Sequence, residues 1–131
     1  MRSVFINLPV ADTEASKAFY AALGFQHNPA FSDEQTTCIA ISEHIYVMAM
    51  DRSRFQGFIT GEIAPDGSTE VLNALSCESR EEVYQLITKA LEAGGRPWKP
   101  AMDMEGMYGG SFQDPDGHVW ELMWMDPAAT G

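Results

Sequence analysis

Cysteine is scarce: Cys38 and Cys77 are the only two in 131 residues. No Cys-x-x-Cys pair or Cys/His cluster occurs, which argues against a structural zinc site. Each cysteine sits in an apolar, strand-like run, so both read as buried free thiols rather than a disulfide. Basic residues are also few, eight Lys and Arg against 19 Asp and Glu, for a formal net charge of −11. That opposes nucleic acid or an anionic membrane as partner, since both require a basic footprint. The same charge would steer a cationic ligand toward the chain. No apolar run approaches the roughly 18 residues of a membrane helix. The first residues, Met1 to Asn7, meet Pro9 and Asp12 too soon for a signal peptide, so a cytoplasmic location is the expectation. No Gly-rich phosphate loop and no Gly-x-Ser-x-Gly elbow is present.

What remains is the composition of a globular protein, 45% hydrophobic and 21% charged, long enough for one domain with a sizeable core. Val4 to Val10 reads as a strand, and Asp12 as the N-cap of a helix. That helix carries Ala15, Ala18, Phe19, Ala22 and Leu23 at amphipathic spacing, with Gly24 as its stop. Short strand-like pieces follow at Phe25–Phe31, Thr36–Ile41 and Ile45–Met50, then a helix or loop over Arg52–Ile59. Residues 61–68, with Pro65-Asp66-Gly67, read as a linker.

Then the pattern restarts. Val71–Cys77 is a strand, and Ser79 with Glu82 forms a capping box for a second helix. This helix carries Val83, Leu86, Ile87, Ala90 and Leu91, each 68 residues after its counterpart, and ends at Gly94-Gly95. Trp98–Met104, Tyr108–Gln113 and Val119–Met125 read as strands, and Pro127–Gly131 as a short tail. The repeat predicts two copies of one βαβββ unit, residues 1–60 and 69–126, within a single domain spanning 1–131. The fold class is α+β, a curved mixed sheet whose uncovered faces would enclose a cleft.

The most informative stretch is Phe112 through Trp124. Asp114-Pro115-Asp116-Gly117 has turn chemistry, with Pro at the second position and Gly closing the turn. The strand after it is apolar except for Glu121, and a carboxylate there is costly unless it meets a cavity, a partner or a metal. Strand parity puts Val119 and Met123 on the same side as Glu121, and Trp120, Leu122 and Trp124 under the helix. By the same parity Phe5, Asn7, Met48, Met50 and Leu72 face the cleft, while Asn73 is an anomaly on the helix side with Val71 and Leu75. The Met-rich lining suits a loosely specified organic ligand or ordinary sheet packing. Trp98, Tyr108 and Phe112 read either as stacking residues at the cleft mouth or as plain strand aromatics. Gly106–Gly110 is a candidate flap.

These residues carry a resemblance. Leu8-Pro9-Val10-Ala11-Asp12, Phe19-Tyr20, Leu23-Gly24-Phe25, Ala74-Leu75-Ser76, Ala93-Gly94-Gly95 and Phe112 through Leu122 resemble the vicinal oxygen chelate superfamily. This is the superfamily of glyoxalases, bleomycin resistance proteins and extradiol dioxygenases. The resemblance covers essentially the whole chain and implies the paired βαβββ fold. Its metal-using members supply one His, Glu or Gln ligand from the first and last strand of each unit. The matching positions here are Phe5, Met48 (Val47 if the register slips by one), Leu72 (Asn73 after a slip) and Glu121. Only Glu121 is a ligand for a hard divalent ion. His27, His44 and His118 read as exposed or turn histidines.

The resemblance therefore implies a member without most of the metal ligands, one that binds a small organic, cationic ligand in its cleft. Its ligand residues would be Phe5, Asn7, Met48, Met50, Leu72, Tyr108, Phe112, Glu121 and Met123. No cofactor is expected; a divalent metal would bind only through Glu121 with non-standard ligands. The alternative is a metal-dependent lactoylglutathione-lyase-like or dioxygenase-like enzyme, with Glu121 as metal ligand or general base, paired with Glu70 or Asp103 in the acid–base version. A homodimer is the expected assembly.

Overall fold

The computed structural model describes residues 1–130; Gly131, the last residue of the tail, lies outside them. The chain separates into two units, Met1–Asp66 and Gly67–Gly131, and their boundary falls inside the 61–68 stretch. No helix among the described residues is long and apolar enough to cross a membrane.

The first unit runs β1 (Val4–Val10), α1 (Thr13–Ala22), β2 (Gln26–His27), β3 (Thr36–Ser42), β4 (Ile45–Asp51) and α2 (Arg52–Phe58). Its sheet has the order β1-β4-β3-β2, with β1 parallel to β4 and the other pairs antiparallel. Pro9 is tolerated inside β1 because that strand ends the order, where a missing N–H breaks no ladder. Asp12 caps α1 by accepting from the Glu14 and Ala15 N–H groups, and Asp51 caps α2 by accepting from the Arg54 N–H. The Arg52–Ile59 stretch is thus a helix over most of its length.

The second unit runs β5 (Leu72–Ser76), α3 (Arg80–Glu92), β6 (Arg96–Pro97), β7 (Met102–Met104), β8 (Met107–Gln113), β9 (Val119–Met125) and α4 (Pro127–Thr130). The sheet order is β5-β9-β8-β6, with β7 also on β8. Most of the expected tail is therefore a short helix. The strand expected over Trp98–Met104 is broken, and Trp98 lies outside both pieces. Pro97 and Pro100 remove two ladder donors. The Ser111 hydroxyl substitutes by accepting from the Lys99 N–H (3.1 Å) and donating to the Lys99 carbonyl (3.4 Å).

Both units are mixed α+β sheets with a helix packed on one face, as the repeat predicts. The offset is 67 residues, not 68. Ser16, Phe19, Tyr20 and Leu23 form the buried face of α1 and answer to Val83, Leu86, Ile87 and Ala90 of α3. The N-caps Asp12 and Ser79 keep that offset. Ala15, Ala18, Ala22 and Leu91, taken from the sequence as core positions, are exposed. Alanine favours any helix face and gives no rotational signal, so the small residues misplaced the stripe by one position. At α3, Ser79 accepts from the Glu82 N–H, but the Glu82 carboxylate accepts from the Glu78 N–H, one residue before the cap.

The helix-facing cores are Leu8, Val10, Phe19, Tyr20, Ile39 and Val47 in the first unit, and Val83, Phe112, Trp120 and Leu122 in the second. Each such side chain contributes about 1.5–3 kcal/mol by leaving water. Gly110 lies beneath α3, where a Cβ would strike the Ile87 Cδ1 methyl; this close approach lets α3 settle on β8.

Candidate functional site

The Asp114–Gly117 turn fixes the start of β9 and so the direction of Glu121. Asp114, fully buried, accepts on Oδ1 from the N–H groups of Asp116 (3.0 Å) and His118 (2.8 Å). Its own backbone exchanges bonds with His118 and Gly117, both at 2.9 Å. Gly117 closes the turn at φ +88°, a conformation that L side chains resist. With the turn fixed, β9 alternates. Trp120, Leu122 and Trp124 face the helix, while Val119, Glu121, Met123 and Met125 face away.

Around Glu121 the register is specific. Ala74 of β5 lies directly across on one side and Ser111 of β8 on the other. Leu72 lies on the same face one step along β5, 51% exposed, and Met123 follows on β9, 38% exposed. Glu121 is half-buried, and no side chain among the described residues hydrogen-bonds or ion-pairs with it. Ser111, the nearest hydroxyl by register, is committed to Lys99.

In the first unit the corresponding face, away from α1, carries Phe5, Asn7, Tyr46, Met48 and Met50. Phe5, 51% exposed, stacks on its register partner Tyr46 with ring centroids 4.9 Å apart and planes 11° apart. Met48 is half-buried and Met50 buried. The Asn7 side-chain N–H donates to the Phe5 carbonyl (3.1 Å).

Tyr108 and Phe112 do not join Glu121. Phe112 pairs with Trp120 and Tyr108 with Trp124, both on the helix side. Phe112 is core at 2% exposure. Tyr108 lies under Arg80, whose guanidinium sits 5.5 Å from its ring centroid and 5.2 Å from that of Trp124. Arg80 also pairs with Asp103 at 2.7 Å, which occupies one of the two carboxylates considered as partners for Glu121. The other, Glu70, sits 2.6 Å from His118 Nδ1. His118 is therefore a buried, paired histidine rather than an exposed one; its position just after a turn concealed that. Asn73 pairs with Trp120 on the helix side, and its Nδ2 is buried without a hydrogen-bond partner.

The four positions that the sequence resemblance implies for metal ligands hold Phe5 and Met48 in the first unit, Leu72 and Glu121 in the second. Of these four side chains only the Glu121 carboxylate is a donor for a hard divalent ion. Among the described residues no group of three or more His, Cys, Asp or Glu is placed to bind a metal.

A family model described as bleomycin resistance protein-like N-terminal matches residues 2–42. A hypothetical protein from S. aureus is 32% identical, with 95% of this chain and 94% of that one covered and a TM-score of 0.80. A glyoxalase-related enzyme from Fulvimarina pelagi is 25% identical, with 95% and 88% covered and a TM-score of 0.77. A glyoxalase/bleomycin resistance protein/dioxygenase family enzyme from Burkholderia phytofirmans shares the fold at 16% identity, with 95% and 99% covered and a TM-score of 0.81. No curated protein matches the chain in sequence.

Proposed function

The chain belongs to the glyoxalase, bleomycin resistance protein and dioxygenase superfamily, the vicinal oxygen chelate proteins, and from that premise we propose that it binds a small organic cation with Glu121 as counter-ion. The observation that carries this reading is a half-buried carboxylate with no partner among the described residues, set between Ala74, Leu72 and Met123. A carboxylate so placed costs stability on its own, and a cation returns that cost as affinity. Leu72 and Met123 supply adaptable apolar contact for the ligand's hydrocarbon part. The net charge of −11 adds long-range steering. No cofactor takes part in this reading, and the protein acts as a cytoplasmic homodimer, which light scattering after size exclusion tests.

The test is a thermal-shift screen of the full chain against bleomycin-type drugs and small hydrophobic cations. A ligand at about 100 times its Kd stabilises the fold by about 2.7 kcal/mol. No shift from any cation at about millimolar concentration contradicts the reading. Near-stoichiometric divalent metal in protein purified without a chelating tag, lost on Glu121→Ala, would overturn this reading in favour of a metal-dependent one.

A further inference from the structure

We propose that a second site, in the first unit on the helix side of its sheet, receives a small zwitterion of the α-amino-acid class. The start of α1, the end of β2 and the entry to β3 enclose a pocket of about 200 Å³. At about 30 Å³ per water this holds half a dozen waters or one small metabolite. Its lining is polar, including Thr13, Glu14, Lys17, His27, Asp33 and Thr37.

The hydrogen bonds separate committed groups from available ones. Asp33 is committed: Oδ1 accepts from the N–H groups of Gln35 (2.9 Å) and Thr36 (3.0 Å), and Oδ2 pairs with Arg54 at 3.2 Å. The first N–H groups of α1 are also committed, since Asp12 accepts from Glu14 (3.0 Å) and Ala15 (3.3 Å). The helix end is therefore not the attraction. Lys17 and Glu14 form no ion pair among the described residues, so the pocket presents one cation and one carboxylate from neighbouring turns of the same helix. His27 adds a ring N–H without a described partner.

Thr37 is the independent observation. It lines the pocket at 4% exposure, and its Oγ1 is buried with no hydrogen-bond partner. A buried hydroxyl left unpaired costs stability, and a ligand oxygen reaching it recovers that cost. A carboxylate held by Lys17, His27 and Thr37, with an ammonium turned to Glu14, matches both charges of the lining. A plain anion leaves Glu14 opposed, and a plain amine leaves Lys17 opposed.

Amide NMR of the full chain, titrated with glycine and L-serine and separately with lactate and ethanolamine, decides it. The amino acids are expected to shift the Thr13, Lys17, His27 and Thr37 amides saturably by about 10 mM, with lactate and ethanolamine at least about tenfold weaker. Lys17→Met is expected to weaken amino-acid binding about tenfold. Thr37→Val is expected to abolish binding while raising the melting temperature, and Thr37→Ser to retain binding. Shifts absent from these amides, equal binding of lactate or ethanolamine, or undiminished binding by Thr37→Val with its fold intact would each overturn the proposal.

Discussion

Ala74 stands directly across the β5–β9 ladder from Glu121, so the carboxylate meets a methyl group where a charged or polar partner would balance it. On its other flank Ser111 is held by Lys99. Glu121 is thus held by no side-chain bond among the described residues.

Replacing Glu121 should therefore not harm the protein. Glu121→Gln is expected to leave stability within about 0.5 kcal/mol of the parent, and Glu121→Leu to raise it by about 1 kcal/mol. Urea denaturation checks both. A loss above about 2 kcal/mol for Glu121→Gln would mean that the carboxylate holds the fold together.

Gly110 and Ile87 should behave as a coupled pair, because a Cβ on Gly110 meets the terminal methyl of Ile87. Gly110→Ala is expected to cost about 1–3 kcal/mol by overpacking α3 against β8. Ile87→Val removes that methyl, so the double variant should recover at least about half of the loss in a double-mutant cycle. Additive costs would place the strain elsewhere.

The two thiols should be sluggish nucleophiles. Burial, then the neighbouring Glu82 carboxylate, pushes the Cys77 thiol from 9.0 up to about 12, and burial also raises that of Cys38. At pH 8 iodoacetamide is expected to label Cys77 in the native protein about a hundred- to a thousand-fold more slowly than in the urea-unfolded chain. The raised value favours the neutral thiol in the folded state. Its contribution to stability is complete below the ordinary value of 9.0 and is lost as pH rises toward about 12. Rapid native labelling of Cys77 at pH 8 would contradict this.

Much of the fold is legible in the residues because the strongest signals are local. The Asp114–Gly117 turn, the caps Asp12 and Ser79, and the parity of β1, β4 and β9 depend on neighbours in sequence, and each reads correctly. The rotation of α1 misleads because its alanines carry no preference for burial, whereas Ser16 faces inward. Tyr108 and Phe112 mislead for another reason. Aromatic type suggests stacking, yet their side is set by the ladder to Trp124 and Trp120, and counting parity back from Glu121 across the turn would have found it. The contact of His118 with Glu70, 48 residues apart, has no local signature. The Lys17–His27–Thr37 pocket is likewise assembled only when β2 and β3 pair beside α1.

Isothermal titration of the parent and of Glu121→Gln with the best cation from the thermal screen, at two ionic strengths, tests whether Glu121 receives the ligand. The expected result is saturable one-site binding by the parent that weakens with salt, and at least a tenfold loss, about 1.4 kcal/mol, in Glu121→Gln. Equal affinity in the two proteins would contradict it, because Glu121 would then not be the group that receives the cation.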